Sequence, residues 1–218
     1  MCAHKSESSR VSLRQKVYAE IKQDIISCRL EPGAPLSEHQ FLERFQVSKT
    51  PIREALTSLQ QDHLVEYIPN RGFMVAPISI IDVKEIFEAR QFYETALYKL
   101  AIQRINPDEI VELERLSCLE PDSDRAEAME AVLQNNLQFH LGIARIAGNG
   151  RMYWHYASLM DEAQRLIYLD YKSSNNLSVW RHSHTGILDA LRSQDEQTGI
   201  QSIIETLDLA QRRILRIG

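Results

Sequence analysis

Apolar residues at helical spacing predict three short helices at the start of the chain. The first follows Ser12, a residue type that caps helices, and repeats an apolar residue every four positions, at Leu13, Val17, Ile21 and Ile25. The turn-forming stretch EPGAP (31–35) ends this helix. Ser37 then caps a second short helix, whose apolar residues are Phe41, Leu42 and Phe45.

The third helix lies within VSKTPIREALTSLQ (47–60) and is strongly two-sided. One face carries the apolar residues Ile52, Ala55, Leu56 and Leu59. The other face presents Thr50, Arg53 and Thr57. Pro51 fits the first turn, where its missing N–H has no intrahelical partner. Either Ser48 or Thr50 is available as the cap.

A change of period after Leu64 predicts a small β-hairpin, with LVEYI and FMVA on either side of PNRG (69–72). Three helices and a hairpin within about 65 residues are the arrangement of a winged helix-turn-helix. From Ser79 onward the pattern predicts only helices, near 80–104, 107–117, 123–146, 151–171, 176–193 and 196–216. The predicted fold is therefore mainly α, with a winged helix-turn-helix followed by an all-helical antiparallel bundle.

Composition places few further limits on this picture. The chain has 218 residues, of which 44% are hydrophobic, and a net charge of −5, which gives no sign of a nucleic-acid partner. Residues 1–80 are slightly basic, with ten Lys/Arg against nine Asp/Glu. Three scattered cysteines suggest neither a disulfide framework nor a zinc cluster. No signal peptide or membrane-spanning run is visible, so we expect a cytoplasmic protein with no membrane partner.

The cations at the start of the third helix suggest contact with DNA. A helix N-terminus attracts phosphate, and Lys49 adds positive charge at that end. Arg53 is able to bind guanine O6 and N7 with two hydrogen bonds. Arg71 lies beside Gly72 at the hairpin tip, where it would reach an adjacent groove. The alternative is a solvated helix face with ordinary surface cations, but the capped first turn, the preceding helices and the basic hairpin tip together favour DNA binding.

At this point the sequence resembles a known family. The stretch IISCRLEPGAPLSEHQFLERFQVSKTPIREALTSLQQDHLVEYIPNRGFMVA (25–76) strongly resembles the N-terminal domain of GntR-family transcription regulators. IFEARQFYETALYKLA, NNLQFHLGIARIAGN and HTGILDALRSQD resemble the FCD ligand-sensing domain of the FadR-type subfamily. The resemblance implies a non-enzymatic regulator, often a repressor, that binds a short palindromic operator in double-stranded DNA as a homodimer and responds to a small-molecule effector.

The resemblance also implies a domain plan and a set of DNA contacts. We expect a flexible tail (1–11), a winged helix-turn-helix domain (12–77) and an FCD sensing and dimerisation domain (78–218). The expected DNA-binding residues are His39, Ser48, Lys49, Thr50, Arg53, Thr57, Arg71 and Gly72. Gln46 stands at a turn position where relatives usually have glycine, so it is strained if the backbone there is left-handed.

The FCD resemblance implies a divalent-metal site, but an incomplete one. Relatives use an Asp or Asn, a His four residues later and two further histidines; here Asn136, His140 and His184 match, and Thr206 occupies the fourth position. One interpretation is a hydrogen-bonded polar pocket without metal. The other is a weakly bound divalent metal, zinc or nickel, completed by water or by an effector carboxylate.

Other residues of the helical half have two interpretations each. Arg90 and Glu94 are four residues apart and form either part of the effector pocket or a structural pair. Arg165 and Tyr168 share the helix after AGN, where Arg165 would bind an effector carboxylate or remain a solvated charge. His155 and His182 match no ligand position, so we expect both to be surface or structural residues.

Two further functional classes compete with the regulator. The histidine pair motivates a metal- or metabolite-binding helical protein with enzymatic activity, although no paired carboxylates, nucleophile elbow or phosphate loop support it. The missing fourth metal ligand motivates an interaction module that has lost sensing.

Overall fold

The computed structural model describes residues 12–117, 126–174 and 184–216. The predicted tail (1–11), the start of the helix predicted at 123–146, His182 and most of the first half of the helix predicted at 176–193 lie outside the described residues. The chain divides into two compact units, residues 1–77 and 78–218. The predicted fold class is confirmed: a winged helix-turn-helix precedes an all-helical unit.

The first unit contains three helices and one two-stranded antiparallel sheet in its described part: α1 Leu13–Ile26, α2 Glu38–Phe45, α3 Lys49–Gln61, β1 Val65–Ile68 and β2 Gly72–Val75. Ser12 caps α1 through two reciprocal hydrogen bonds with Gln15. The Gln15 N–H donates to the Ser12 hydroxyl at 3.2 Å, and the Ser12 N–H donates to Gln15 Oε1 at 2.9 Å. The Ser37 hydroxyl accepts from the Gln40 N–H at 3.4 Å at the start of α2. Both caps were predicted.

Gln46 ends α2 in the left-handed region, with φ 53° and ψ 40°. A residue with a Cβ is strained there, whereas glycine is not. The Gln46 side chain donates to the carbonyl oxygen of Glu43 at 2.6 Å, and its backbone N–H donates to Leu42 at 3.1 Å. These two bonds hold the sharp turn that directs the chain into α3.

The hairpin pairs β1 with β2 from Val65↔Val75 to Ile68↔Gly72, and Gly72 occupies a positive φ of 85°. The segment before α2 also pairs with β2, through a bridge between Pro35 and Met74. The Leu36 N–H donates to the Phe73 carbonyl at 2.8 Å in this contact. The sequence predicted only a turn at 31–35, because pairing with a strand almost forty residues later leaves no local pattern.

The core of the first unit forms around α3. The four residues of its predicted apolar face, Ile52, Ala55, Leu56 and Leu59, are each 0% exposed. They pack with Val17, Ile21 and Ile25 of α1 and with the β1–β2 hairpin, which forms the wing. Leu13 was predicted to continue the α1 stripe, but it is 63% exposed. As the first helical residue, it lies outside the core that α1 shares with α3.

The described part of the second unit consists of six helices: α4 Ile80–Ile102, α5 Pro107–Ser117, α6 Ala126–Ile146, α7 Gly150–Ser174, α8 Thr185–Ser193 and α9 Glu196–Ile214. Ser79 and Asp82 form a capping box at the start of α4. This helix packs against α6, α7 and α9, which places its buried residues at the centre of the unit. None of the helices described is long and apolar enough to cross a bilayer.

Gly199 of α9 provides a test of the α4–α9 packing. A Cβ at Gly199 would lie 2.0 Å from the hydroxyl of Tyr98, whose rigid ring is 0% exposed on α4. Gly199→Ala should therefore lower the free energy of unfolding by about 1–3 kcal/mol, the usual cost of overpacking. Gly150→Ala is the control, since its Cβ would meet nothing within 4 Å. Urea denaturation measures both, and equal stability of the two variants would contradict this packing.

Candidate functional site

The exposed face of α3 forms an open polar groove on the first unit. Because the apolar face is buried, the side chains of Lys49, Thr50, Arg53 and Thr57 face solvent. Arg14 of α1 lies at the same groove and donates from Nη2 to the Ser58 hydroxyl at 2.9 Å. The groove lining comprises Arg14, Lys49, Thr50, Arg53, Glu54, Thr57, Ser58 and Gln61. Sequence reasoning missed Arg14, which precedes α3 by more than thirty residues.

The N-terminal end of α3 has donors to offer to an anion. Ser48 is the cap residue, with extended φ −72° and ψ 168°, but its hydroxyl makes no capping hydrogen bond. Pro51 lies in the first turn as predicted. The backbone N–H groups of a first turn lack intrahelical partners, so without a side-chain cap they remain available to bind phosphate oxygens. Lys49 adds its charge at the same end.

A carboxylate on α2 contacts both cations of α3. Glu38 Oε1 accepts from Arg53 Nε at 2.9 Å, and Glu38 Oε2 lies 3.2 Å from Lys49 Nζ. The Glu38 side chain is 22% exposed, compared with 58% for Lys49 and 60% for Arg53. Burial by itself raises the pKa of Glu38, but the hydrogen bonds from Arg53 and Lys49 outweigh it and the pKa is lowered. Glu38 is therefore ionised at neutral pH.

His39 and Arg71, two further predicted DNA-binding residues, take no part in this ion pair. His39 is exposed on α2, with Nδ1 3.6 Å from Glu43 Oε1. Arg71 is exposed at the hairpin tip between Asn70 and Gly72, which both have positive φ. The Arg71 N–H donates to the Ile68 carbonyl at 3.0 Å and closes the turn. The wing thus presents a cation on a defined backbone.

The second unit contains a buried chain of charged and polar side chains. Arg90 Nε donates to Glu94 Oε1 at 2.8 Å within α4. Glu94 Oε2 lies 3.3 Å from His140 Nδ1 of α6. His140 Nε2 lies 3.4 Å from His184 Nε2, at the residue before α8. The His184 ring stacks on Phe139, with centroids 3.8 Å apart. The predicted pair of histidines and the predicted Arg90–Glu94 pair therefore form one cluster.

Burial and the neighbouring charges set the protonation states of this cluster. Burial by itself raises the pKa of Glu94, but the charge of Arg90 and the contact with His140 outweigh it and lower the pKa to about 2. Burial lowers the pKa of His184 well below its usual value, and His140 lowers it further. Burial and the Glu94 charge raise the pKa of Tyr156. At neutral pH, Glu94 is thus ionised while His184 and Tyr156 are neutral.

The space beside the cluster is very small. A cavity of about 10 Å³, room for about one water molecule, lies against Glu94, His140 and Tyr156. Its other lining residues are apolar: Leu97, Ile143, Ile187 and Ile203. A metabolite can occupy this region only if side chains or helices move.

The other predicted pocket residues are buried or half-buried in the same unit. Asn136 is 7% exposed one turn before His140, and its Nδ2 has no hydrogen-bond partner within the described residues. Arg165 and Tyr168 are each 3% exposed on α7, so Arg165 is not a solvated charge. Thr206 is half-buried on α9 and is not part of the cavity lining.

The donors present do not fit a tightly bound metal ion. The Nε2 separation of 3.4 Å suits either a shared hydrogen bond or two ligands of one ion. Tight binding of a metal ion therefore depends on how many further ligands are available. Beyond the two histidines, the only predicted ligands were the amide of Asn136 and the hydroxyl of Thr206. In the described part of the chain, no group of three His, Cys, Asp or Glu side chains is placed to bind an ion.

Comparison with known families decides which class of protein carries these sites. The model described as "Bacterial regulatory proteins, gntR family" matches residues 13–75, and the FCD domain model matches residues 85–208. The chain belongs to the GntR family. It is a transcriptional regulator with an FCD effector-binding domain, as the sequence predicted.

Several regulators are similar to this GntR-family chain. The HTH-type transcriptional repressor RspR of Escherichia coli strain K12 is 26% identical over 183 residues, covering 84% of this chain and 80% of RspR. The Nta operon transcriptional regulator of Aminobacter aminovorans is 28% identical over 171 residues, covering 78% and 80%. The gluconate operon transcriptional repressor of Bacillus subtilis strain 168 is 24% identical over 217 residues, covering 94% and 86%.

Solved structures share the fold. E. coli McbR/YncC superposes with a TM-score of 0.82 at 22% identity, covering 95% of this chain and 99% of that one. A GntR transcriptional regulator from Rhodococcus sp. RHA1 gives a TM-score of 0.76 at 24% identity, covering 93% and 97%. The fold of this GntR-family chain is therefore shared with both structures over nearly its whole length.

The cluster predicts how stability depends on pH in the presence of a chelator. The folded-state pKa of His184 lies below its usual 6.5, so the unfolded chain binds the proton first and stability falls as the pH drops below about 6.5. Ionised Glu94 adds a second loss between about pH 4.5 and pH 2.

Far-UV circular dichroism during urea unfolding follows mainly the second unit, because most of the described helix belongs to it. His184→Asn should reduce the loss of stability below about pH 6.5. His155 is an exposed histidine of α7, so His155→Gln should leave that loss unchanged. An unaltered pH profile in His184→Asn would contradict the assigned charge state.

Proposed function

We propose that this regulator binds a short palindromic operator as a homodimer and that α3 of each protomer enters the major groove. The observation that supports this most directly is the complete burial of one face of α3, which leaves a cation-bearing polar face at its N-terminal half. Two symmetry-related winged helix-turn-helix units that bind successive major grooves require inverted half-sites. The helical unit would supply the dimer contact, and a DNA target implies a cytoplasmic setting.

Within each half-site, the residues divide into base-reading and positioning groups. Arg53 would bind guanine through its Nη atoms, which make no hydrogen bond within the described residues. Thr50 and Thr57 would contact base edges or nearby phosphates. Ser48, Lys49 and His39 would bind the sugar-phosphate backbone of the DNA. Arg71, with Gly72 allowing close approach, would contact the adjacent groove. The phosphate contacts set affinity, and Arg53 sets sequence preference.

The effector in this proposal is a small metabolite with a carboxylate group. Arg90, neutral His184 and buried Arg165 are donors for a carboxylate, and Tyr168 lies one turn beyond Arg165. A relative is named for the gluconate operon, and gluconate is itself a carboxylate. Because the cavity beside Glu94 holds about one water, binding must rearrange the packing of α4 with its neighbours. That rearrangement is the means of signalling.

We further propose that the pocket functions without a tightly bound metal. Each imidazole already has a partner, since His140 lies between Glu94 and His184. Protein purified without chelator should contain well under one zinc or nickel per chain by elemental mass spectrometry. Stoichiometric metal that disappears in His140→Ala would overturn this part of the proposal.

The base-reading role of Arg53 has a direct test. Arg53→Ala should reduce the ratio of specific to non-specific DNA affinity roughly 10- to 100-fold, because one bidentate contact is lost. Arg115→Ala removes the same charge from an exposed position on α5 and is the control. The probes are a duplex enriched from a random pool by the wild-type protein and a scrambled duplex. An unchanged ratio in Arg53→Ala would overturn the proposal, provided circular dichroism shows both variants folded.

Salt dependence separates a DNA-binding regulator from the alternative, a metabolite-binding helical protein with enzymatic activity. Binding that neutralises several phosphates releases counterions, so the observed affinity should fall steeply between low and physiological salt. A flat salt dependence would favour the alternative class.

A further inference from the structure

We propose that Glu38 is a positioning residue that sets DNA specificity: it fixes the orientation of Arg53 and weakens the attraction of the α3 surface for DNA of any sequence. This inference rests on the proposed base-reading role of Arg53. A carboxylate on a surface that approaches phosphates weakens DNA binding by charge repulsion. The contacts of Glu38 with Arg53 and Lys49 indicate what it contributes in return.

The geometry leaves the reading end of Arg53 free. Glu38 Oε1 accepts only from Nε, at 2.9 Å, while the two Nη atoms make no hydrogen bond within the described residues. The guanidinium group is planar, so a bond at Nε fixes its plane and direction. The Nη1–Nη2 fork is the part that matches guanine O6 and N7. Glu38 therefore orders the side chain without occupying the fork.

Lys49 shares the same carboxylate. Its ammonium group lies 3.2 Å from Glu38 Oε2, so one negative charge is shared between the two cations at the start of α3. The lowered pKa of Glu38 keeps that charge in place at neutral pH. The surface is consequently less attractive to phosphate than its two cations alone would make it. Phosphate attraction contributes to the binding of any DNA sequence, so through Lys49 Glu38 weakens specific and non-specific binding by similar factors, and its effect on their ratio depends on Arg53.

The structural role of Glu38 does not account for its contacts with α3. As the first residue of α2, Glu38 favours the positive end of that helix, but this effect needs no contact with Arg53 or Lys49. The position of α3 is already fixed by its fully buried apolar face, and α2 contributes Phe41, which is 5% exposed, to the same core. The cations that Glu38 contacts are more than half exposed. Ion pairs of such exposed side chains contribute little to stability. The remaining consequence of the contact is its effect on what Arg53 and Lys49 can bind.

Glu38→Gln in the full chain tests the proposal with the enriched and scrambled duplexes. The affinity for the scrambled duplex should rise roughly 3- to 10-fold, and the slope of log affinity against log salt should become steeper by about one. The ratio of specific to non-specific affinity should fall about 10-fold or more. Glu31→Gln, an exposed glutamate before α2, makes the same charge change away from α3 and should leave the ratio unchanged.

A double variant separates this inference from the proposed function. In the Arg53→Ala background, Glu38→Gln should still strengthen scrambled-duplex binding through Lys49 but should no longer change the ratio. If Arg53→Ala itself keeps the wild-type ratio, the base-reading proposal fails. If Arg53→Ala lowers the ratio and Glu38→Gln does not, only the role of Glu38 is overturned. Equal weakening of both duplexes by Glu38→Gln would show a structural role and would also overturn it.

Discussion

The proposed DNA-binding surface depends on one constraint, the complete burial of the apolar face of α3. Ile52, Ala55, Leu56 and Leu59 have no exposed area, so the helix has one orientation and its polar residues have one direction. The turn before the helix also fixes its orientation, because the left-handed backbone of Gln46 sets the direction in which the chain enters α3. Without that burial, Arg53 and Lys49 would be ordinary surface cations.

Each unit contains an arginine whose Nε is held by a glutamate, and the surroundings give the two pairs different consequences. The Arg53–Glu38 pair lies at the surface, where water screens it and its energetic contribution is small. The Arg90–Glu94 pair is 3% and 6% exposed, so removing either partner would leave an uncompensated buried charge. The same contact therefore maintains charge states and packing in the interior, whereas at the surface its proposed effect is on DNA binding.

The closed interior of the helical unit limits how a small molecule would bind there. The polar cluster of Arg90, Glu94, His140 and His184 joins α4, α6 and the start of α8, with almost no free volume beside it. A ligand that enters must change contacts among these helices rather than fill an existing cavity. Such a ligand alters DNA affinity only if the two arrangements differ in their affinity for DNA, and DNA would then alter ligand affinity by the same factor.

The sequence alone determined the order of the helices, the caps at Ser12 and Ser37 and the exposed face of α3, because these features depend on residues a few positions apart. It also placed Asn136 and His140 on one face of a helix. Only the tertiary structure decided which distant residues meet. Glu38 lies beside Arg53, His140 meets His184 across 44 residues, and Arg165 is buried. Such contacts depend on which helices pack together, and a periodic pattern shows which face of a helix is buried but not what it is buried against.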